Sequence, residues 1–245
     1  FAAEGSAAIT IRRGGRICAN GSKDHPIIMT SELDGEGIDA RNTRGTWGGR
    51  VVSGCATLNG AGGFGVNEGV GDTYGGGTSP RDDDSSGALT YLQIKYAGYA
   101  FSPTNELNSL ALSGVGSGTI VDFVQTHNGA DDGIEFYGGT VNAKHLLTTG
   151  TDDDALDWVL GYSGKLQHIL VDQTNSGDNC IEADNLSANP TATPRSMPTV
   201  SNLTCVGSDG MSTQGHAFEL KAGTGMKLSN IVLGGTFPAG NEGCI

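Results

Sequence analysis

Residues 131–139 read DDGIEFYGG and residues 153–160 read DDALDWVL. In both, two acids precede a short run in which apolar and acidic residues alternate. That two-residue period is the mark of a strand with one face toward a core and one toward water. The same pattern recurs at 178–183 and 215–220, with an earlier, less acidic copy at 110–112. Between the copies lies a second recurrent strand: YLQI (91–94), FVQT (123–126), HLLT (145–148), HILV (168–171), NLTC (202–205) and NIVL (230–233). Its columns align as Leu92, Val124, Leu146, Ile169, Leu203 and Ile231, which are expected to face inward. Successive copies of the first strand are 22 residues apart from Ile134 to Leu156 and 25 from Leu156 to Ile181, leaving no room for helical crossovers. A hairpin meander reverses every second strand, whereas a solenoid stacks equivalent strands in parallel and places like residues over like. The columns favour the solenoid: an all-β parallel β-helix with coils of about 22–25 residues and two strands per coil.

Two stretches break the period. LSANPTATPRSMP (186–198) reads as a loop bulging from one coil, and LNGAGGFGVNEGVGDTYGGGTSPRDDDSSG (58–87) as a long surface excursion. Strands of similar character resume on both sides, so residues 1–245 are expected to form one domain.

The rest of the composition agrees. Forty-one glycines against seven prolines, with 36% hydrophobic residues, describe a turn-rich chain too apolar to be disordered. A net charge of −13, with no basic cluster beyond Arg12, Arg13 and Arg16, excludes nucleic acid as a partner. No run approaches the length of a membrane span, and no charged-then-apolar leader is present. The start at Phe1 and the stop at Ile245 read as those of a processed or partial product. Cys18, Cys55, Cys180, Cys205 and Cys244 show no CxxC spacing, which disfavours zinc and fits an oxidising compartment. Cys18 with Cys55 is the first disulfide to expect. The glycosylation tripeptides at Asn20, Asn185 and Asn202 are too short a pattern to carry an argument.

Several segments together carry a resemblance: ITIRRGGRICANGSKDHPIIMTS (9–31), GTWGGRVVSG (45–54), YGGG (74–77), SSGALTYLQIKYAG (85–98), NELNSLALSGVGSGT (105–119) and DDGIEFYGGTVNAKHL (131–146). They resemble a family of secreted or surface-attached bacterial proteins with a right-handed parallel β-helix of pectate-lyase-like architecture. The resemblance covers most of the chain and implies a fold and an extracellular or cell-surface location. It does not imply catalytic residues.

Stacking the coils puts Glu135, Asp157, Glu182 and Glu219 in one outward column. At a strand spacing of about 4.8 Å, neighbours in water repel by about 0.9 kcal/mol. Raised pKa values, nearby lysines such as Lys221 and Lys144, or bound Ca²⁺ would offset this. The turn acids Asp131, Asp132, Asp153, Asp154 and Asp178 stack beside the column, so with Glu135, Asp157 and Glu182 they form a candidate metal-ligating set. The simpler reading is that Asp and Asn occupy these turns because they bond local backbone, and neither reading excludes the other.

In the next outward column stand Tyr137, Val159, Asp184 and Lys221, which makes Lys221, Glu182, Asp184 and Glu219 the candidate catalytic groups. A lyase on a uronate needs a cation and a base, and a glycosidase needs two carboxyls; both can be drawn on an acidic solenoid, so binding is preferred to catalysis. Tyr137 and Trp47 are the candidate sugar-contacting rings, although Trp47 is equally suited to packing over an end of the helix. His145 and His168 are read as a structural stack rather than a metal pair, and Trp158 as core. Three functions result. The first is a surface or secreted protein that binds or organises extracellular material, chiefly glycan, with Ca²⁺ in its acidic turns; the second is a lyase or hydrolase on an acidic polysaccharide. The third is a subunit of a surface layer or filament assembling through its coil ends.

Overall fold

The computed structural model describes residues 1–39, 42–173, 177–208, 211–212 and 215–237. One sheet stacks short strands in the order Ala8–Ile11, Gly49–Ser53, Leu110–Ser113, Ile134–Tyr137, Leu156–Val159, Ile181–Ala183 and Phe218–Leu220, all parallel. Ile134, Leu156, Ile181 and Phe218 are successive partners in it. The other sheet stacks Gly87–Lys95, Ile120–His127, Asn142–Thr149, Lys165–Asp172, Thr199–Gly207 and Lys227–Gly235, also parallel. Its Leu92, Val124, Leu146, Ile169, Leu203 and Ile231 form one column in register. The chain is a parallel β-helix, and the inward columns of both sheets meet in its lumen.

Packing explains the alternation. Ile134, Phe136, Leu156, Trp158 and Ile181 are fully buried, each worth about 1.5–3 kcal/mol relative to exposure. Trp158 is core, as its position in the repeat requires, and Phe136 stacks on Tyr162 at 4.5 Å. The DDGIEFYGG strand stops because Gly138 and Gly139 both take positive φ, 67° and 80°, and a Cβ on Gly139 would lie 2.5 Å from the Val115 carbonyl oxygen.

The long strands depart from the two-strand expectation. Each bends at one left-handed residue: Tyr91, Phe123, His145, His168, Asn202 and Asn230 have φ between 48° and 58°. In the first coil the two limbs are separate strands, Ile17–Asn20 and Ile27–Ser31, which pair with the two halves of Gly87–Lys95. A coil therefore has three limbs. Left-handed backbone costs a residue with a Cβ roughly 1–2 kcal/mol, and the corner side chains offset this by stacking along the axis. Ring centroids are 4.4 Å apart for Tyr91–Phe123, 4.2 Å for Phe123–His145 and 4.9 Å for His145–His168, all within 8° of parallel. Asn202 continues the stack against His168 Nδ1 at 3.3 Å, and Asn230 Nδ2 donates to Asn202 Oδ1 at 2.6 Å.

Three expectations need correction. Cys18 and Cys55 are free, and the disulfide is Cys180–Cys205, which joins the turn before the Ile181–Ala183 strand to the Thr199–Gly207 strand; Cys244 lies outside the described residues. Trp47 is fully buried, donates Nε1–H to the Lys95 carbonyl at 2.7 Å and is covered by Phe1, so it packs rather than presenting a ring to ligand. The 58–87 excursion is not merely superficial. Its hairpin Gly65–Val66/Thr73–Tyr74 folds back on the short-strand sheet and buries Asn67 and Tyr74. The 186–198 loop carries no strand and is held through Asn185, whose amide donates to the carbonyls of Pro190 and Ala192. That side chain is fully buried, so it is no glycan acceptor in the folded chain.

Near the N-terminal end the inward column holds an unexpected residue. Arg50 sits in register between Ile9 and Leu110, fully buried. Its Nη1 reaches Met29 Sδ at 3.1 Å, Nε and Nη2 have no partner, and burial lowers its pKa to about 10.

Candidate functional site

The turn that precedes each short strand is built from its acids. Asp132 Oδ1 accepts from the Asp154 N–H (3.1 Å), Asp154 Oδ1 from the Asn179 N–H (2.7 Å), and Asn179 Oδ1 from the His216 N–H (2.8 Å). Each side chain thus fastens its own coil to the equivalent turn of the next. These side chains do bond backbone, but that of the next coil rather than of their own turn, and each carboxylate uses one oxygen for it.

The ladder stands beside this stack. Glu135, Asp157, Glu182 and Glu219 are partners in register on the outward face. With Asp131, Asp132, Asp153, Asp154, Tyr137, Val159 and Asp184 the first three line one groove of about 330 Å³, joined by Glu68 from the folded-back excursion. Asn108 Nδ2 holds Glu135 Oε2 at 2.6 Å and also donates to the Tyr137 hydroxyl at 3.2 Å. Oxygens of Asp132, Glu135 and Asp157 lie within 4.8 Å of one another, as do those of Asp131, Asp132 and Asp153, and those of Asp153, Asp154 and Asp178. Asp157 Oδ1 is sealed from solvent and takes no hydrogen bond.

Crowding acids in a poorly solvated groove disfavours their ionised forms. Burial, reinforced by Asp153 and Glu106, pushes Asp131 up to about 7. Burial pushes Glu135 up to about 8 against the pull of its bonds to Tyr137 and Asn108. Asp132, Asp154 and Asp157 are raised well above the usual carboxylate range, first by burial and then by neighbouring carboxylates. Lys221 stands just beyond the groove lining, and its Nζ is bound to Glu182 Oε1 at 2.5 Å. Burial lowers the Lys221 pKa, but the bond to Glu182 and the charges of Asp184 and Glu219 outweigh it and leave it raised.

Of the anticipated site residues, seven of the eight ligand candidates line the groove with Tyr137 and Asp184; Asp178 adjoins it through Asp153 and Asp154, and Lys221 reaches it through Glu182. Glu219 remains beyond the groove lining, 3.4 Å from Asn179 Nδ2. Lys144 lies on the other sheet, where it pairs with Asp122, and offsets none of the ladder charge. His145 and His168 present stacked faces to one another, and His145 Nδ1 is engaged by Asp122 at 2.7 Å, so the pair does not converge on an ion. Glu68 and Asn108 were not anticipated: nothing in a glycine-rich segment signals that it folds over a sheet, whereas Asn108, two residues before Leu110, is the counterpart of Asp132, Asp154 and Asn179 in the less acidic copy and could have been read from the same column.

An all-oxygen set of carboxylates at these separations suits a hard divalent cation that takes six to eight oxygens, Ca²⁺ above all. The uncommitted Asp157 Oδ1, beside Asp132 and Glu135, fits such an ion. Among the described residues no helix is long and apolar enough to cross a membrane. No curated protein and no solved structure matches the chain. The family model described as a pectate-lyase like beta helix domain matches residues 1–241, in agreement with the stacked parallel sheets, and the chain belongs to that family.

Proposed function

We propose that this protein is a secreted or cell-surface β-helix that binds acidic glycan through divalent cations, Ca²⁺ in the first place, held in the ladder groove. The observation that carries the reading is the groove itself: two oxygen-only ligand groups lie wholly within one cleft, a third shares Asp153 and Asp154 with it, and a sealed carboxylate oxygen in it has no donor. An ion there would neutralise the ladder and offer its remaining positions to a uronate carboxylate. The Cys180–Cys205 bridge supports an oxidising, extracellular setting. Calorimetric titration with Ca²⁺, then with galacturonate oligomers in Ca²⁺ and in EDTA, tests this. Saturable Ca²⁺ binding and glycan binding lost in EDTA are expected; glycan binding indifferent to EDTA refutes the cation's role.

One observation favours hydrolysis as a second reading. A carboxyl held up to about 8, as Glu135 is, stays protonated near neutral pH and suits a general acid. The pairing of Lys221 with Glu182 speaks against a lyase that would use this lysine on the sugar carboxylate. Incubating the protein with polygalacturonate and measuring new reducing ends and unsaturated products separates binding, hydrolysis and elimination.

A further inference from the structure

The groove has two unlike ends. Along the outward column of the short-strand sheet, Val51 and Ala111 come before Glu135, and although they face away from the lumen they are 1% and 5% exposed. A second, smaller core covers them, in which Leu107, Val70 and Tyr137 pack over the sheet. Polar ties fix this roof. Asn67 donates to Ser53 Oγ at 2.8 Å and accepts from Ser113 Oγ at 2.5 Å, and Gly69 N–H donates to Asn105 Oδ1 at 2.7 Å. Tyr74 closes against Tyr137 with ring centroids 5.8 Å apart. The roof ends over Glu135, itself 7% exposed, with Glu68 at the wall. In the opposite direction Asp157, Glu182 and Glu219, on the same outward column, are all partly exposed. Among the described residues nothing comparable roofs that end.

A polymer lying along the ladder therefore meets a wall at Glu135 and cannot pass beneath the 65–74 hairpin. We infer that the groove takes the terminus of an acidic glycan chain, the end residue against the Glu135–Tyr137 wall, and not an internal segment. The ladder from Glu135 to Glu219 spans three coil steps, about 14 Å, so a few sugar residues engage and the rest of the chain leaves over the last coil. This specificity rests on the glycan reading above, and Asp157 Oδ1, sealed and without a donor, lies along the path.

The test uses the intact wild-type protein in Ca²⁺, with galacturonate trimer, the trimer carrying a bulky aromatic amide or glycoside at one end or the other, and long polygalacturonate. Titration calorimetry gives affinity and stoichiometry. The expected result is one protein per polymer chain, affinity per chain independent of length beyond the trimer, and at least a 100-fold loss when one particular end is blocked but not the other. Several protein molecules on each polymer chain, or tolerance of a block at either end, overturns the inference while leaving the glycan reading intact. Binding of neither oligomer nor polymer overturns the acidic-glycan reading and this inference with it.

Discussion

Replacing Glu135 with Gln isolates what the ladder costs the fold. The substitution keeps the shape and an acceptor for Asn108 but removes the charge. Glu135 is pushed from an ordinary 4.5 up to about 8, so the folded form holds this proton more tightly than the unfolded chain does. Its contribution to stability is intact below the unfolded value and is lost as pH rises through about 8. Ionising a carboxyl so displaced costs the folded state about 5 kcal/mol at pH 9, by the equivalence of one pH unit and 1.36 kcal/mol. Asp131, pushed up to about 7, titrates in the same range and shares the repulsion, so about 2–5 kcal/mol is expected for the single change. For a chain of this length that is about 10 °C in melting temperature. Thermal denaturation followed by circular dichroism in EDTA should show E135Q melting higher than wild type at pH 9 and alike at pH 4. In millimolar Ca²⁺ the order at pH 9 should narrow or reverse, because the variant loses a ligand. An equal shift at both pH values, or a lower melting temperature for E135Q at pH 9 in EDTA, would refute the reasoning.

Two further outcomes test the scaffold. The double change C180A/C205A opens a 25-residue crosslink and should cost about 3.5 kcal/mol in urea unfolding, with added reductant destabilising wild type but not the variant. Arg50→Met puts an apolar chain of similar length where Nε and Nη2 have no partner, and should raise stability by about 1–4 kcal/mol; a loss instead would mean that the guanidinium has a counter-ion in solution.

The registers were legible because a parallel stack repeats its environment at every coil. Ile134, Leu156 and Ile181 face the same lumen, and so the chain uses similar side chains three times. The ladder followed from that periodicity alone. The third limb was hidden because its marker is a left-handed residue, and at that corner the chain uses Tyr, Phe and His, which do not announce positive φ as Gly does; only Asn202 and Asn230 are residues that tolerate it readily. The disulfide was missed for a different reason: Cys180, in the turn before Ile181, meets Cys205 on the Thr199–Gly207 strand, a relation between columns that alignment within each sheet does not contain. The roof was unreadable because the segment around Asn67 has little apolar content, and its hold on Ser53 and Ser113 depends on a fold-back without periodicity.

The position of the Cys180–Cys205 bridge gives the rod a direction of failure. Coils in a stack bond only to their neighbours, so melting starts at an end and travels. The bridge clasps a turn of the later coils to the Thr199–Gly207 strand, while the opposite end carries an unpaired guanidinium in its interior. Heat, denaturant or a pulling force should accordingly peel the molecule from Phe1 inward, and the acidic coils beyond Leu110 would outlast the turns that precede them.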